Sequence, residues 1–198
     1  ISSLMLDRSG MLWVGGLIRG IAITDPEGAR FRYVTSTAAG ANWANDNSVR
    51  SMHEDAEGRL WIGLDGSGLR RYDPRADAFE DFSAGLRGLP RVEEGSGLRV
   101  MGILPAPDGL WLTGNFGLAH LDPATRRLEP AEVAPGRTDA LPTRHLRRGF
   151  VMRDGSLLLT TTDAGVVRFH PAERRFEHIP ARPGSPRGLS HPLTDVAL

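Results

Sequence analysis

A glycine and a proline six residues apart recur four times along this 198-residue chain, and that spacing limits the possible fold more than any other feature. The pairs are Gly20 and Pro26, Gly68 and Pro74, Gly117 and Pro123, and Gly165 and Pro171 (26 − 20, 74 − 68, 123 − 117 and 171 − 165 all equal 6). Successive prolines stand 48, 49 and 48 residues apart (74 − 26, 123 − 74 and 171 − 123). Upstream of each pair a second phrase repeats: Asp7-Arg8-Ser9-Gly10 leading to Trp13, Asp55-Ala56-Glu57-Gly58 leading to Trp61, Asp108-Gly109 leading to Trp111, and Asp154-Gly155 leading to Leu157-Leu158-Leu159. Five residues past the prolines stand Phe31, Phe79, Leu128 and Phe176.

Between these anchors each period reads as four short strands. In the clearest copy they are Val49–Glu54 (strand a), Arg59–Leu64 (b), Leu69–Asp73 (c) and Phe79–Phe82 (d). The Asp-Gly or Asp-x-x-Gly turn supplies the positive φ that a tight hairpin from a to b requires. Proline has no amide hydrogen to give a ladder and so closes strand c. Strand b is apolar at consecutive positions, Leu60-Trp61-Ile62, the pattern of a sheet covered on both faces. Four strands in a period near 48 residues, each sheet between two neighbours, describe β-propeller blades. The expected fold is all-β, with four four-stranded antiparallel blades at about 1–34, 48–82, 98–131 and 145–179. Residues 193–198 align with 1–6 at an offset of 192 (193 − 1), four periods of 48, and read as the first strand of a fifth blade. The expectation is a fragment of a larger, seven-bladed propeller.

Composition narrows the function classes. The 24 acidic residues balance the 24 basic ones, all arginine, which leaves no overall field to gather nucleic acid. No cysteine is present, so disulfides, thiolate metal sites and a cysteine nucleophile are excluded. No stretch approaches the ~20 apolar residues of a membrane span. The six histidines, His53, His120, His145, His170, His178 and His191, show no pair at i, i+2 or i, i+4 with an acidic partner in the same element, and no metal or other cofactor is expected. No Gly-x-Ser-x-Gly elbow occurs, and Glu93-Glu94 lies in a Gly-rich linker, so no catalytic residue is assigned.

The phrase Asp-x-x-Gly-x-Leu-Trp-Ile-Gly, followed by Gly-Leu-x-Arg-Tyr-Asp-Pro and preceded by an Asn-rich linker and Val-x-Ser-Met, closely resembles the two-component regulator propeller repeat. Residues 45–82 are the best copy. Copy three departs by being one residue short before Trp111, and copy four by Leu158 in place of Trp and His170 in place of Asp. The resemblance implies a periplasmic, ligand-sensing input module of a membrane-anchored receptor, a histidine kinase, hybrid two-component system or diguanylate cyclase, whose output domain lies outside these residues. It implies no enzymatic activity in this stretch. Two other readings stand beside it: a propeller enzyme acting on polysaccharide, lyase or glycoside hydrolase, and a protein-interaction scaffold, for which exposed strand edges offer a route to a homodimer.

Trp13, Trp61 and Trp111 share one repeat position and are expected to pack in the core. Trp43 falls outside the repeat, among Asn42, Asn45 and other linker residues, and an aromatic beside amides is the chemistry of sugar stacking. The linkers from strand d to the next strand a share one face with the b-to-c turns, where loops on a rigid scaffold favour ligand contact. Asn42, Trp43, Asn45, Arg91, Asn115, Arg144 and His145 are the expected contacts, for a small molecule or glycan.

Overall fold

The computed structural model describes residues 1–17, 20–27, 31–34, 48–89, 97–131, 140–143 and 145–179. The described residues form sixteen strands and one short helix. The first blade holds β1 (Ser3–Leu6), β2 (Leu12–Gly15), β3 (Ile21–Thr24) and β4 (Phe31–Val34), antiparallel and in sequence order. The second holds β5 (Val49–Glu54), β6 (Leu60–Gly66), β7 (Leu69–Asp73) and β8 (Ala78–Asp81). The third holds β9 (Leu98–Ala106), β10 (Gly109–Gly114), β11 (Gly117–Asp122) and β12 (Arg127–Pro130), and the fourth β13 (Leu146–Val151), β14 (Leu157–Thr161), β15 (Val166–His170) and β16 (Arg175–Ile179). These are the a, b, c and d strands of each period, the observed ends differing from expectation by one or two residues.

The repeat glycine before strand c does the work the spacing assigns to it. Gly20, Gly68, Gly117 and Gly165 all have φ between 73° and 89°, a left-handed conformation that costs a residue with a Cβ roughly 1–2 kcal/mol. At Gly68 space is short as well, since a Cβ there would lie 2.6 Å from Ser83 Oγ and 2.9 Å from its Cβ. Ser83 begins α1 (Ser83–Arg87), a turn of helix inside what the sequence presents as a linker. Its hydroxyl accepts from Leu69 N (3.1 Å) and donates to Ser67 O (2.9 Å), pinning the helix start to the mouth of strand c.

The molecule divides into two compact units, Ile1–Gly88 with Val92–Ile103, and Leu89–Arg91 with Leu104–Leu198, and the division falls inside β9. In the first unit each strand register sorts side chains onto two faces of the blade. Pairing of Met5 with Trp13 and of Trp13 with Ile23 puts these on one face, the Trp face, together with Ile21 and Val34. That face packs on Val49, Leu60, Ile62, Leu64 and Tyr72 of the second blade, with Met52 and Phe79 at the margin. Trp13 meets Tyr72 edge-on, ring centres 6.0 Å apart. Approach is tight at Gly15, where a Cβ would stand 2.7 Å from the Val49 side chain. At the far edge of this unit β6 touches the start of β9 through two residue pairs, Asp65 with Arg99 and Gly66 with Leu98.

The second unit repeats this arrangement. Leu104, Trp111, Leu118 and Ala131 face Leu146, Leu157, Leu159, Phe169 and Phe176, and Trp111 meets Phe169 edge-on at 5.2 Å. Trp13 with Tyr72 and Trp111 with Phe169 are the same contact made twice, because the residues occupy the same repeat positions. The core of each unit is thus an interface between blades.

Candidate functional site

Each a-to-b turn is organised by its aspartate. Asp7 Oδ1 accepts from Ser9 N (2.9 Å) and Met11 N (2.9 Å), while Oδ2 accepts from Trp13 Nε1 (2.7 Å). Asp55 repeats this, with Oδ1 on Glu57 N and Arg59 N and Oδ2 on Trp61 Nε1 (3.0 Å). Burial pushes both carboxyls up, but the hydrogen bonds together outweigh it and hold both below the usual carboxylate range. In the fourth blade, where no Trp stands, Asp154 Oδ2 accepts from Arg168 Nη2 (2.6 Å) instead. One carboxylate therefore fixes both the turn and a long side chain lying over strands b and c.

The third blade breaks the pattern. Its turn is Asp108-Gly109 without the two intervening residues, so Asp108 lies three residues before Trp111 rather than six. Asp108 Oδ1 stands 3.1 Å from His120 Nε2, and no bond from Trp111 to Asp108 forms; the His120 nitrogen is buried and within ion-pair distance but lacks hydrogen-bond alignment. His120 lies edge-on to Trp111, centroids 4.8 Å apart, at the position that Arg71 fills over Trp61 in the second blade. Trp13 and Trp61 are buried, but Trp111 is only half-buried.

Trp111 is half-exposed to a groove of about 950 Å³ within the second unit. Its walls are the a-to-b turns Pro105–Asp108 and Asp154–Leu157 and the c-to-d turn from His170 to Arg174; Trp111 and His120 lie inside, flanked by Glu129 and Val151. Most rim charges have partners: Asp154 with Arg168 (2.6 Å), Glu173 with Arg175 (2.9 Å) and Glu129 with Arg127 (3.0 Å), while Arg174 donates to Pro130 O (3.0 Å). The groove therefore offers many donors and acceptors with little net charge, one aromatic ring and several prolines. That chemistry suits a neutral polar molecule with an apolar face. An imidazole beside a carboxylate is part of a general-base arrangement, yet no hydroxyl is hydrogen-bonded to His120 among the described residues, and no group of three His, Asp or Glu there could hold a metal ion.

The corresponding place in the first unit is smaller, about 340 Å³, lined by Met5, Leu6, Arg8, His53, Glu54, Asp55 and Ala56. Arg8 closes it through Glu54 (3.2 Å). Burial lowers the His53 pKa, against the opposing pull of Asp55 and Glu54.

Of the expected contacts, Asn42, Trp43, Asn45, Arg91 and Arg144 lie outside the described residues. Asn115 sits half-buried in the turn between β10 and β11, and His145 is exposed just before β13, its carbonyl accepting from Thr162 N (3.2 Å). Both belong to the end of the blades where strand b meets strand c. The groove lies at the other end, among the a-to-b and c-to-d turns, and sequence reasoning passed over it.

Residues 44–66 match the family model described as the two component regulator propeller. That stretch is one copy of the two component regulator propeller repeat. This propeller is similar in structure to the extracellular domain of a putative one component system from B. thetaiotaomicron, at 21% identity and a TM-score of 0.69, over 94% of this chain and 22% of that one. It is also similar to the extracellular domain of a putative hybrid two component system from the same organism (20% identity, TM-score 0.68, 91% of this chain and 24% of that one). A streptogramin B lyase aligns at 16% identity and a TM-score of 0.63, over 92% of this chain and 55% of that one. The propeller thus spans less than a quarter of the length of the two B. thetaiotaomicron domains. No curated protein sequence matches it. Among the described residues no helix is long and apolar enough to cross a membrane.

Proposed function

We propose that this propeller is a piece of the extracytoplasmic, periplasmic sensor region of a bacterial signalling receptor, and that it works by binding, without catalysis of its own. The repeat family and the similarity to extracellular domains of signalling systems support the first part. The second rests on one observation: the half-buried Trp111, freed from its turn aspartate, beside a groove whose polar groups offer hydrogen bonds while, among the described residues, no hydroxyl is hydrogen-bonded to its imidazoles. The ligand proposed is a small neutral molecule or glycan, its ring C–H groups on the indole and its hydroxyls on the rim carboxylates and imidazoles. For the lyase or glycoside hydrolase reading the groove offers the Asp108–His120 pair, but no hydroxyl is hydrogen-bonded to that imidazole among the described residues.

A panel of neutral oligosaccharides and polyols, screened by thermal shift and then calorimetry, tests this. At least one member should raise the melting temperature of the wild-type chain. Trp111→Phe, which keeps the packing on Phe169, should weaken that ligand about tenfold, while Asn115→Ala and His145→Ala leave it unchanged. The reverse result would move the ligand to the other end of the blades. A parent receptor that responds to a member that fails to bind this chain would refute direct recognition here.

A further inference from the structure

The groove beside Trp111 lies open where its counterpart is filled by a cation. In the first unit the a-to-b loop Asp7-Arg8-Ser9-Gly10 carries Arg8 over the matching place. There Arg8 N and Nε donate to the two carboxylate oxygens of Glu54 (2.9 and 3.2 Å), and Nη2 donates to Asp55 O. The third blade's loop passes from Asp108 straight to Gly109, so no residue stands where Arg8 does. The repeat thus seats a guanidinium in one unit and leaves the same place vacant in the other.

The walls of the vacant place keep one group suited to a positive charge. Glu129, Asp154 and Glu173 each have an arginine. Asp108 has none among the described residues: its partner is His120, which is charged only when protonated, and its own side chain is 80% exposed. Val151 stands at the position of Glu54, since it pairs with Leu157 as Glu54 pairs with Leu60. A cation here would therefore be held from the third blade's wall and not from the fourth's. That wall also carries the indole, because His120 lies 3.1 Å from Asp108 and 4.8 Å, centre to centre, from Trp111. A carboxylate beside an aromatic face attracts an ammonium group twice, through its charge and through the ring quadrupole. Arg174, the remaining cation of the groove, donates to Pro130 O on the edge strand β12, two strands out from β10, and forms no pair with Asp108.

The geometry points to a free amino group as the feature that the groove selects: its ligand is an amino sugar, with the sugar ring against Trp111 and the ammonium on Asp108. This rests on the reading of the groove as a glycan site and narrows it. Acetylation of the amine removes the charge that Asp108 answers.

Three β-1,4-linked trisaccharides that differ in the substituent on the second ring carbon test this by calorimetry at low salt: the glucosamine trimer, its fully N-acetylated counterpart, and cellotriose. The wild-type chain should bind the amine about tenfold more tightly than either neutral trimer, and added salt should narrow the gap. Asp108→Asn should abolish the preference and leave the three sugars alike, with the melting temperature of the unliganded protein close to wild type. Asp163→Asn, at an exposed carboxylate in the b-to-c turn of the fourth blade, should leave the preference whole. A neutral trimer that binds as tightly as the amine, or a preference that survives Asp108→Asn, would overturn the amino-group assignment, while the groove reading would stand if Trp111→Phe still weakens binding. Failure of all three trimers beside a polyol that binds through Trp111 would do the same. Failure of every ligand would overturn both.

Discussion

Asp7 and Asp55 each place one carboxylate oxygen on turn amides and the other on an indole six residues ahead. Removing the side chain strands a buried N–H as well as loosening the turn, so the loss exceeds that of a solvated hydrogen bond. Asp55→Ala should therefore cost about 1–3 kcal/mol in urea unfolding followed by Trp fluorescence. Asp108→Ala should cost less than half as much, because Trp111 draws no bond from it. Equal losses would contradict the separate role given to the third turn. The aspartates were legible in the sequence as turn formers, but their second bond was not, since a sequence does not show where a side chain points. A signal did exist: Asp and Trp keep a spacing of six in the first two copies (13 − 7, 61 − 55) and fall to three in the third (111 − 108). That shortening marks the place where the Trp and the groove are uncovered.

At the scale of strands and turns the reading came closest to the structure, because a strand's period of two and a glycine's positive φ are local properties that a repeat states several times. Val49–Glu54 and Leu69–Asp73 stand as expected. The α1 helix was missed since Ser83–Arg87 has no side-chain cap and is too short for a helical period to emerge. Its position gives Gly68 two constraints where Gly58 has one. Gly58 has φ 79° with nothing nearer a built Cβ than Glu54 Oε1 at 3.8 Å. Gly58→Ala should thus cost only the backbone penalty, about 1–2 kcal/mol. Gly68→Ala must also displace Ser83 and should cost about 3 kcal/mol or more. Thermal melts of the two variants side by side make the comparison, and a Gly68→Ala no worse than Gly58→Ala would remove the clash from the account.

For the whole molecule, balanced charge leaves pH sensitivity to individual groups rather than to general repulsion. The groups whose pKa moves include five carboxyls, Asp7, Asp55, Asp122, Asp154 and Glu173, all lowered, and one imidazole, His53, also lowered. For the carboxyls the folded state holds protons less tightly than the unfolded chain, so their contribution is present above the unfolded value, about 4, and disappears as pH falls through the folded one. His53 acts in the same direction but earlier. Burial disfavours its charged form, so the folded state begins to lose ground once pH drops below about 6.5. The melting temperature should accordingly hold steady above neutrality, decline gently below about 6.5, and decline steeply below about 4. His53→Gln should flatten the gentle part and leave the steep part intact, whereas Asp55→Asn should reduce the steep part and, by removing a carboxylate that pulls the His53 pKa upward, deepen the gentle one. A wild-type melting temperature equal on both sides of the imidazole range would show that His53 is not held neutral by the fold.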